Sequence, residues 1–502
     1  MNLFELIRSR IADPKRPFLI GADGSTLSYG EMLDRTGQIA NMLVLCGVEP
    51  GDRVAVQVEK SVENLLLYLA VLRAGAVYLP LNTAYTLTEL DYFIGDAEPK
   101  LVVCDPAKRE GLAEVAGKRG VASVETLDAK GKGSLIDASG KAPKDFADVP
   151  REDDDLAAIL YTSGTTGRSK GAMLTHDNLS SNALTLKGTW RFTDKDVLLH
   201  ALPIYHTHGL FVASNTLMLA GGAMIFLSKF DADEVMRHLA NATSMMGVPT
   251  FYVRLCKHSA LTKASTAHMR LFVSGSAPLL AETHDEFRTK TGHAILERYG
   301  MTETSMNTSN PYDGDRIAGT VGFPLPGVEL RIADPESGAV LKQGEIGVIE
   351  VRGPNVFPGY WRMPDKTRAE FRSDGFFITG DVGKIDERGY VHIVGRAKDL
   401  IITGGFNVYP KEVESEIDAL PGVVESAVIG CPHPDFGEGV TAVVVMQKGA
   451  SANEKAIIAD LESKLAKFKL PKRVIFVDDL PRNTMGKVQK NVLREQNAKL
   501  YA

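Results

Sequence analysis

The sequence predicts an α/β protein. A large N-terminal domain of layered α/β subdomains includes a β-rich subdomain, and a small α+β C-terminal domain follows it. Three observations predict this. Apolar strand-like runs alternate with helical patterns up to about residue 310, which implies parallel pairing in layered sheets. Residues 320–395 then break into short strands punctuated by Gly, Pro and Asp: GFPLPGVELRI, GEIGVIEVRG and GYVHIVG. Beyond Gly395-Arg396 the chain carries a strand pair and a helix of its own.

The elements follow in order. Val54–Val58 reads as a short buried strand, and Ser61–Gly75 as a helix that ends on a glycine. Leu101–Cys104 is a further apolar strand, closed by Asp105-Pro106. Residues 126–154, rich in Lys, Gly, Ser, Pro and Asp, are expected to cross the surface as a loop. The β-rich subdomain spans about 320–395, and a boundary at about Lys398 divides the chain into domains 1–397 and 398–502. In the second, Val424–Ile429 and Val440–Met446 form a strand pair and a helix covers 453–467.

Composition bounds the function. At 502 residues the chain is too long for one core. A net charge of −6 gives no reason to propose nucleic acid or an anionic membrane as partner. Cys46, Cys104, Cys256 and Cys431 lie far apart, with no CxxC pair and no metal-ligand spacing, and read as buried thiols in a reducing compartment. No apolar run reaches about 18 residues, so no membrane span is expected. The N-terminal MNLFELIRSRIADPKR has no long apolar stretch for a signal peptide, and Glu5 and Asp13 argue against a transit peptide. The expected location is cytoplasmic.

One segment carries chemistry on its own terms. Tyr161–Gly171 reads YTSGTTGRSKG and follows the apolar run Ile159-Leu160-Tyr161. Its glycines, Gly164 and Gly167 among them, let backbone approach an anion. Thr162, Ser163, Thr165 and Thr166 add hydroxyl donors, and Lys170 adds a positive charge. Backbone N–H groups and a cation together make a triphosphate cradle. The string is not GxxxxGK[ST], so a P-loop NTPase does not fit.

This loop resembles the signature loop of the adenylate-forming superfamily, which holds acyl-CoA synthetases, luciferases and peptide-synthetase adenylation domains. Six further motifs follow in the family's order: LPIYHTHG, VSGSAPL, ERYGMTE, TGD, GRAKDLIITGGFNVYP and LPRNTMGKVQK. The resemblance covers essentially the whole chain and implies an enzyme that uses ATP, Mg²⁺ and coenzyme A.

Site roles follow from the resemblance, residue by residue. Tyr299 is expected to pack on adenine, Thr302 to touch phosphate and Glu303 to bind the metal. Gly275, Ser276 and Ala277 line the adenine side, and Asp381, with Arg396 nearby, accepts the ribose hydroxyls. Lys487 takes the place of the family's catalytic lysine, where an ammonium neutralises charge as carboxylate and α-phosphate join. Such lysines are targets of reversible acetylation, which implies an acetyltransferase and deacetylase as partners. His206 stands at the mouth of the acyl pocket, Gly404, Gly405 and Phe406 line the pantetheine tunnel, and Lys398 holds the hinge position.

Within the superfamily, GVPTFYVRL (247–255) and ERYGMTETSMNTSNP (297–311) look most like malonyl-CoA synthetases. A second substrate carboxylate needs a cation, and arginine matches it with two parallel donors. Arg254 and Arg298 flank pocket motifs, and Arg254 is preferred because it follows the Pro-Thr-x-Tyr element. Ser274 or Ser276 supplies a hydroxyl, and Met306 borders the pocket. Malonate is the expected acid, with methylmalonate accepted where the pocket spares one methyl. Another short-chain or aryl acid is the alternative. The rivals fit less well. An amino-acid adenylation domain needs an acid for the substrate ammonium, and 201–222 has none. A luciferase-like oxygenase is a rare use of the fold, and joint retention of Lys487, Glu303 and Lys170 argues against a regulator with a dead site.

Overall fold

The structure, a computed structural model, describes all residues except Ala122, 163–168, 404–405, 451–452, Ser463, 484–485 and Ala502. It forms two compact units. The first comprises 1–318, 322–329 and 351–377; the second comprises 319–321, 330–350 and 378–502. Lys398 lies inside the second unit, in the 3₁₀ turn Ala397–Asp399.

The first unit is built on two sheets. The six-stranded sheet runs, in spatial order, 123–126, 101–104, 53–57, 77–80, 156–162 and 170–175. Its first five strands pair in parallel, and the last pair is antiparallel. The nine-stranded sheet has a parallel middle (271–274, 244–247, 197–200 and 223–226) and a hairpin of Leu296–Met301 with Ser305–Ser309 towards one edge. Parallel pairing with helical crossovers buries both faces, which explains the near-continuous apolar strands.

The helix expected over 61–75 spans Val62–Arg73, with Ser61 as its N-cap. Each residue from Asn64 to Arg73 is buried, as a helix apolar all round must be. The surface loop expected over 126–154 contains a short helix, Ser134–Ser139, that the turn-rich composition concealed. After Thr207 comes a π-helical run, His208–Asn215, a rare geometry often placed at functional sites.

The second unit holds most of a four-stranded sheet, ordered 329–333, 347–352, 377–385 and 391–396. It also has a five-stranded sheet in which Val423–His433 pairs with Gly437–Met446 and Arg473–Val477 adds in parallel. The helices Pro410–Asp418 and Glu454–Glu462 cover that sheet around a core of Val413, Ile417, Val428, Val444 and Leu461. Among the described residues no helix is long and apolar enough to cross a membrane.

Candidate active site

The loop expected to hold phosphate lies between two antiparallel strands, with Thr162 opposite Lys170 at its base. Ser163, Gly164, Thr165, Thr166 and Gly167 lie outside the described residues. The base is anchored on both sides. The Tyr161 hydroxyl donates to Asp96 at 2.5 Å, and the Tyr92 hydroxyl donates to the Ser169 carbonyl at 2.7 Å. Lys170 Nζ donates to Glu370 Oε1 at 3.1 Å and stands 4.1 Å over the Tyr360 ring. The Tyr360 hydroxyl in turn lies 3.0 Å from Glu303 Oε1 and 2.7 Å from Glu370 Oε2. Tyr360 and Glu370 thus link the loop lysine to the expected metal carboxylate. No motif marks either residue in the sequence.

Tyr299, Thr302 and Glu303 sit on the hairpin of 296–301 and 305–309. Its register shifts between Tyr299 and Gly300. A Cβ at Gly300 would stand 1.8 Å from the Ser305 carbonyl oxygen, so the hairpin closes only with glycine there. The tight turn leaves Thr302 half-buried and Glu303 buried. Among the described residues no group of three or more His, Cys, Asp or Glu is placed to hold a metal ion. A single carboxylate suits Mg²⁺, which takes one or two protein carboxylates plus substrate phosphates.

The hairpin and the strand beside it carry a group of buried polar side chains. Arg298 is only 4% exposed. Its guanidinium lies on the backbone of Gly275, where a Cβ would meet Cζ at 2.3 Å. Arg298 Nε and Nη2 make no hydrogen bond, and burial lowers the arginine's pKa to about 9. Ser274 is fully buried, and its hydroxyl is likewise without a partner. His208 is buried, with Nδ1 3.2 Å from Ser276 Oγ and Nε2 unpartnered. Burial first, then the Arg298 charge, pushes His208 far below the usual histidine range, so it is neutral. Ser276 holds this position with φ +72, a strained conformation for a non-glycine residue. Met306 is buried and packs onto Gly300.

Two placements bear on the sequence reading. Arg254 is exposed in the last turn of Pro249–Cys256, because that helix turns Tyr252, Leu255 and Cys256 inward and leaves position 254 on the outer face. Arg298, by contrast, is buried against Gly275. The second concerns LPIYHTHG. His206 is half-buried, packs 4.9 Å from the Tyr205 ring and has its pKa lowered to about 4 by burial. His208, which the sequence reading passed over, is the one joined to Ser276.

In the second unit, Asp381 and Arg396 are register partners across an antiparallel pair, with Arg396 Nε 2.7 Å from Asp381 Oδ1. Lys487 follows Gly486, and its carbonyl accepts from Asn483 N–H at 2.9 Å. Its side chain keeps exposed surface, yet the protein around the ammonium and then the Arg396 charge lower its pKa to about 8. Lys398 is exposed beside Asp399, which accepts from Arg494 at 2.9 Å. Phe406 is 55% exposed and stacks on Phe468 at 4.7 Å. Gly404 and Gly405 lie outside the described residues.

Comparison with known proteins decides the family. The AMP-binding enzyme family matches residues 8–361, and its C-terminal domain matches 412–487. The chain belongs to the AMP-binding enzymes. This bears out the resemblance to the adenylate-forming superfamily. ATP-bound MatB from Rhodopseudomonas palustris is 67% identical, covers 100% of this chain and 99% of its own, and has a TM-score of 0.98. A malonate–CoA ligase of Arabidopsis thaliana is 33% identical over 99% of this chain and 88% of its own. A feruloyl-CoA synthase of an Amycolatopsis species is 37% identical over 94% of each chain.

Proposed function

We propose that this AMP-binding enzyme is a malonate–CoA ligase, yielding malonyl-CoA, AMP and pyrophosphate, with methylmalonate as a second substrate. The observation that carries the choice of acid is Arg298: a buried guanidinium with two donors unused, lying on Gly275 and near a neutral His208. A buried charge without a partner costs several kcal/mol, and a substrate carboxylate would remove that cost. The relatives named for malonate support the same acid. The feruloyl relative keeps an aryl acid as the alternative, but an aromatic tail would leave the Arg298 donors unpaired.

The chemistry runs in two steps. A malonate carboxylate oxygen attacks the α-phosphorus of ATP, and pyrophosphate leaves. The thiol of coenzyme A then attacks the acyl carbonyl, and AMP leaves. Arg298 and Ser274 hold the far carboxylate, so the near one is presented for attack. Lys170 holds phosphate charge, Thr302 touches phosphate and Asp381 takes the ribose. Lys487 neutralises the developing charge in the first step and gives up its place in the second. Mg²⁺ would be held by Glu303 together with the phosphates and would offset the charge on the leaving pyrophosphate. Residues 398–502 turn about Lys398 between the steps, which brings Gly404, Gly405 and Phe406 to the pantetheine. A cytoplasmic location and acetylation of Lys487 belong to the same reading.

The test is pyrophosphate release with coenzyme A and a panel of malonate, methylmalonate, acetate and benzoate. Malonate should give the highest kcat/KM. Preference for acetate or benzoate would sink the malonate reading and leave the ligase reading standing.

A further inference from the structure

The lysine of the phosphate loop is already engaged. Lys170 and Glu370 are both largely buried, at 13% and 20% side-chain exposure, and their charged atoms are 3.1 Å apart. Glu370 also receives Lys366 at 2.8 Å and the Tyr360 hydroxyl at 2.7 Å. Tyr360 has one hydroxyl hydrogen and faces two carboxylates, Glu370 and Glu303. The result is a compact cluster of two carboxylates and two ammonium groups.

We propose that Glu370 is a displaceable counter-ion: it holds Lys170 while the phosphate site is empty, yields it to the triphosphate, and reclaims it as pyrophosphate departs. This rests on the reading of Lys170 as a phosphate ligand. A carboxylate and a triphosphate brought to the same ammonium repel each other, so the two compete for it. Glu370 retains Lys366 and Tyr360 when Lys170 leaves, so the exchange does not strand a buried charge. The Tyr360 ring stays under the Lys170 ammonium and guides it between partners. The competition weakens triphosphate binding and speeds pyrophosphate release. A residue that only positioned Lys170 would do the opposite, so the sign of the effect separates the two roles.

The experiment is calorimetric titration of pyrophosphate and of ATP, with EDTA and again with Mg²⁺, into wild type, Glu370→Gln, Lys170→Ala and the double variant. Glu370→Gln should bind pyrophosphate about 3- to 10-fold more tightly, the effect of removing one competing ion pair. The same change should have no effect once Lys170 is alanine. Glu370→Asp keeps the charge but falls a methylene short, so it should tighten binding in smaller measure, and it serves if the Gln variant does not fold. Weaker or unchanged binding by Glu370→Gln overturns the proposal, as does equal tightening in the Lys170→Ala background, which would mark a general charge effect. A wild type that binds neither ligand would instead bring down the phosphate-site reading itself.

Discussion

At the scale of single residues, three substitutions test the functional reading. In the proposed mechanism Lys487 must be cationic to assist adenylation, and its pKa is lowered to about 8. A lysine with a lowered pKa loses its charge as pH rises, so kcat/KM for adenylation should fall through about pH 8 with a one-proton slope. Pyrophosphate exchange measured from about pH 6.5 to 9.5 checks this. Lys487→Ala should cut that half-reaction by several kcal/mol and spare thioester formation from preformed acyl-adenylate. Equal losses in both steps would contradict the role. Arg298→Ala should lower malonate kcat/KM by about 2–5 kcal/mol, the scale of a buried charge pair broken on one side, and acetate far less. Arg254→Ala, an exposed site, should stay within about 0.5 kcal/mol for both acids. Steady-state kinetics of the two variants would reverse the assignment if Arg254 proved the more sensitive. The sequence offered both arginines, but choosing between them needed the face of a two-turn helix. Periodicity over eight residues gives that face only weakly.

At the scale of elements, the helix Pro410–Asp418 ends on a carboxylate, the wrong charge for a helix C-terminus. Burial raises the Asp418 pKa from 3.8 to about 6 despite a hydrogen bond from Ser426. A raised acid favours the protonated form in the fold. The contribution of Asp418 to stability is therefore greatest below about pH 4, falls between about pH 4 and 6, and stays reduced above that. Asp418→Asn keeps an acceptor for Ser426 and should add about 1–3 kcal/mol at pH 7.5 and almost nothing at pH 4. Thermal melts at the two pH values test it, and an equal gain at both would exclude titration as the cause. Elements were legible where pattern and caps agreed, as at Ser61 and at the strand Leu101–Cys104. The π-helical run His208–Asn215 was not, since nothing in its composition distinguishes it from an ordinary buried helix.

At the scale of the whole molecule, the expected hinge is tested by separating the two half-reactions. Proline fixes φ, so Lys398→Pro should retain adenylation and lose the coenzyme A step by at least about tenfold, since a hinge must absorb a φ/ψ change. Rapid-quench measurement of acyl-adenylate and thioester separates the two, and an unchanged overall rate would remove Lys398 as the pivot. The sequence by itself determined the family, the phosphate loop and the order of the motifs, because these rest on contiguous strings whose spacing is written in the chain. The tertiary structure decided what lies between motifs. Arg298 against Gly275, His208 against Ser276 and Lys170 against Glu370 join residues 23, 68 and 200 positions apart. Whether a side chain at such a distance is buried, paired or unpaired depends on which strands become neighbours. No local pattern encodes that, since the burial that makes Arg298 an unpaired cation is supplied by residues remote in sequence.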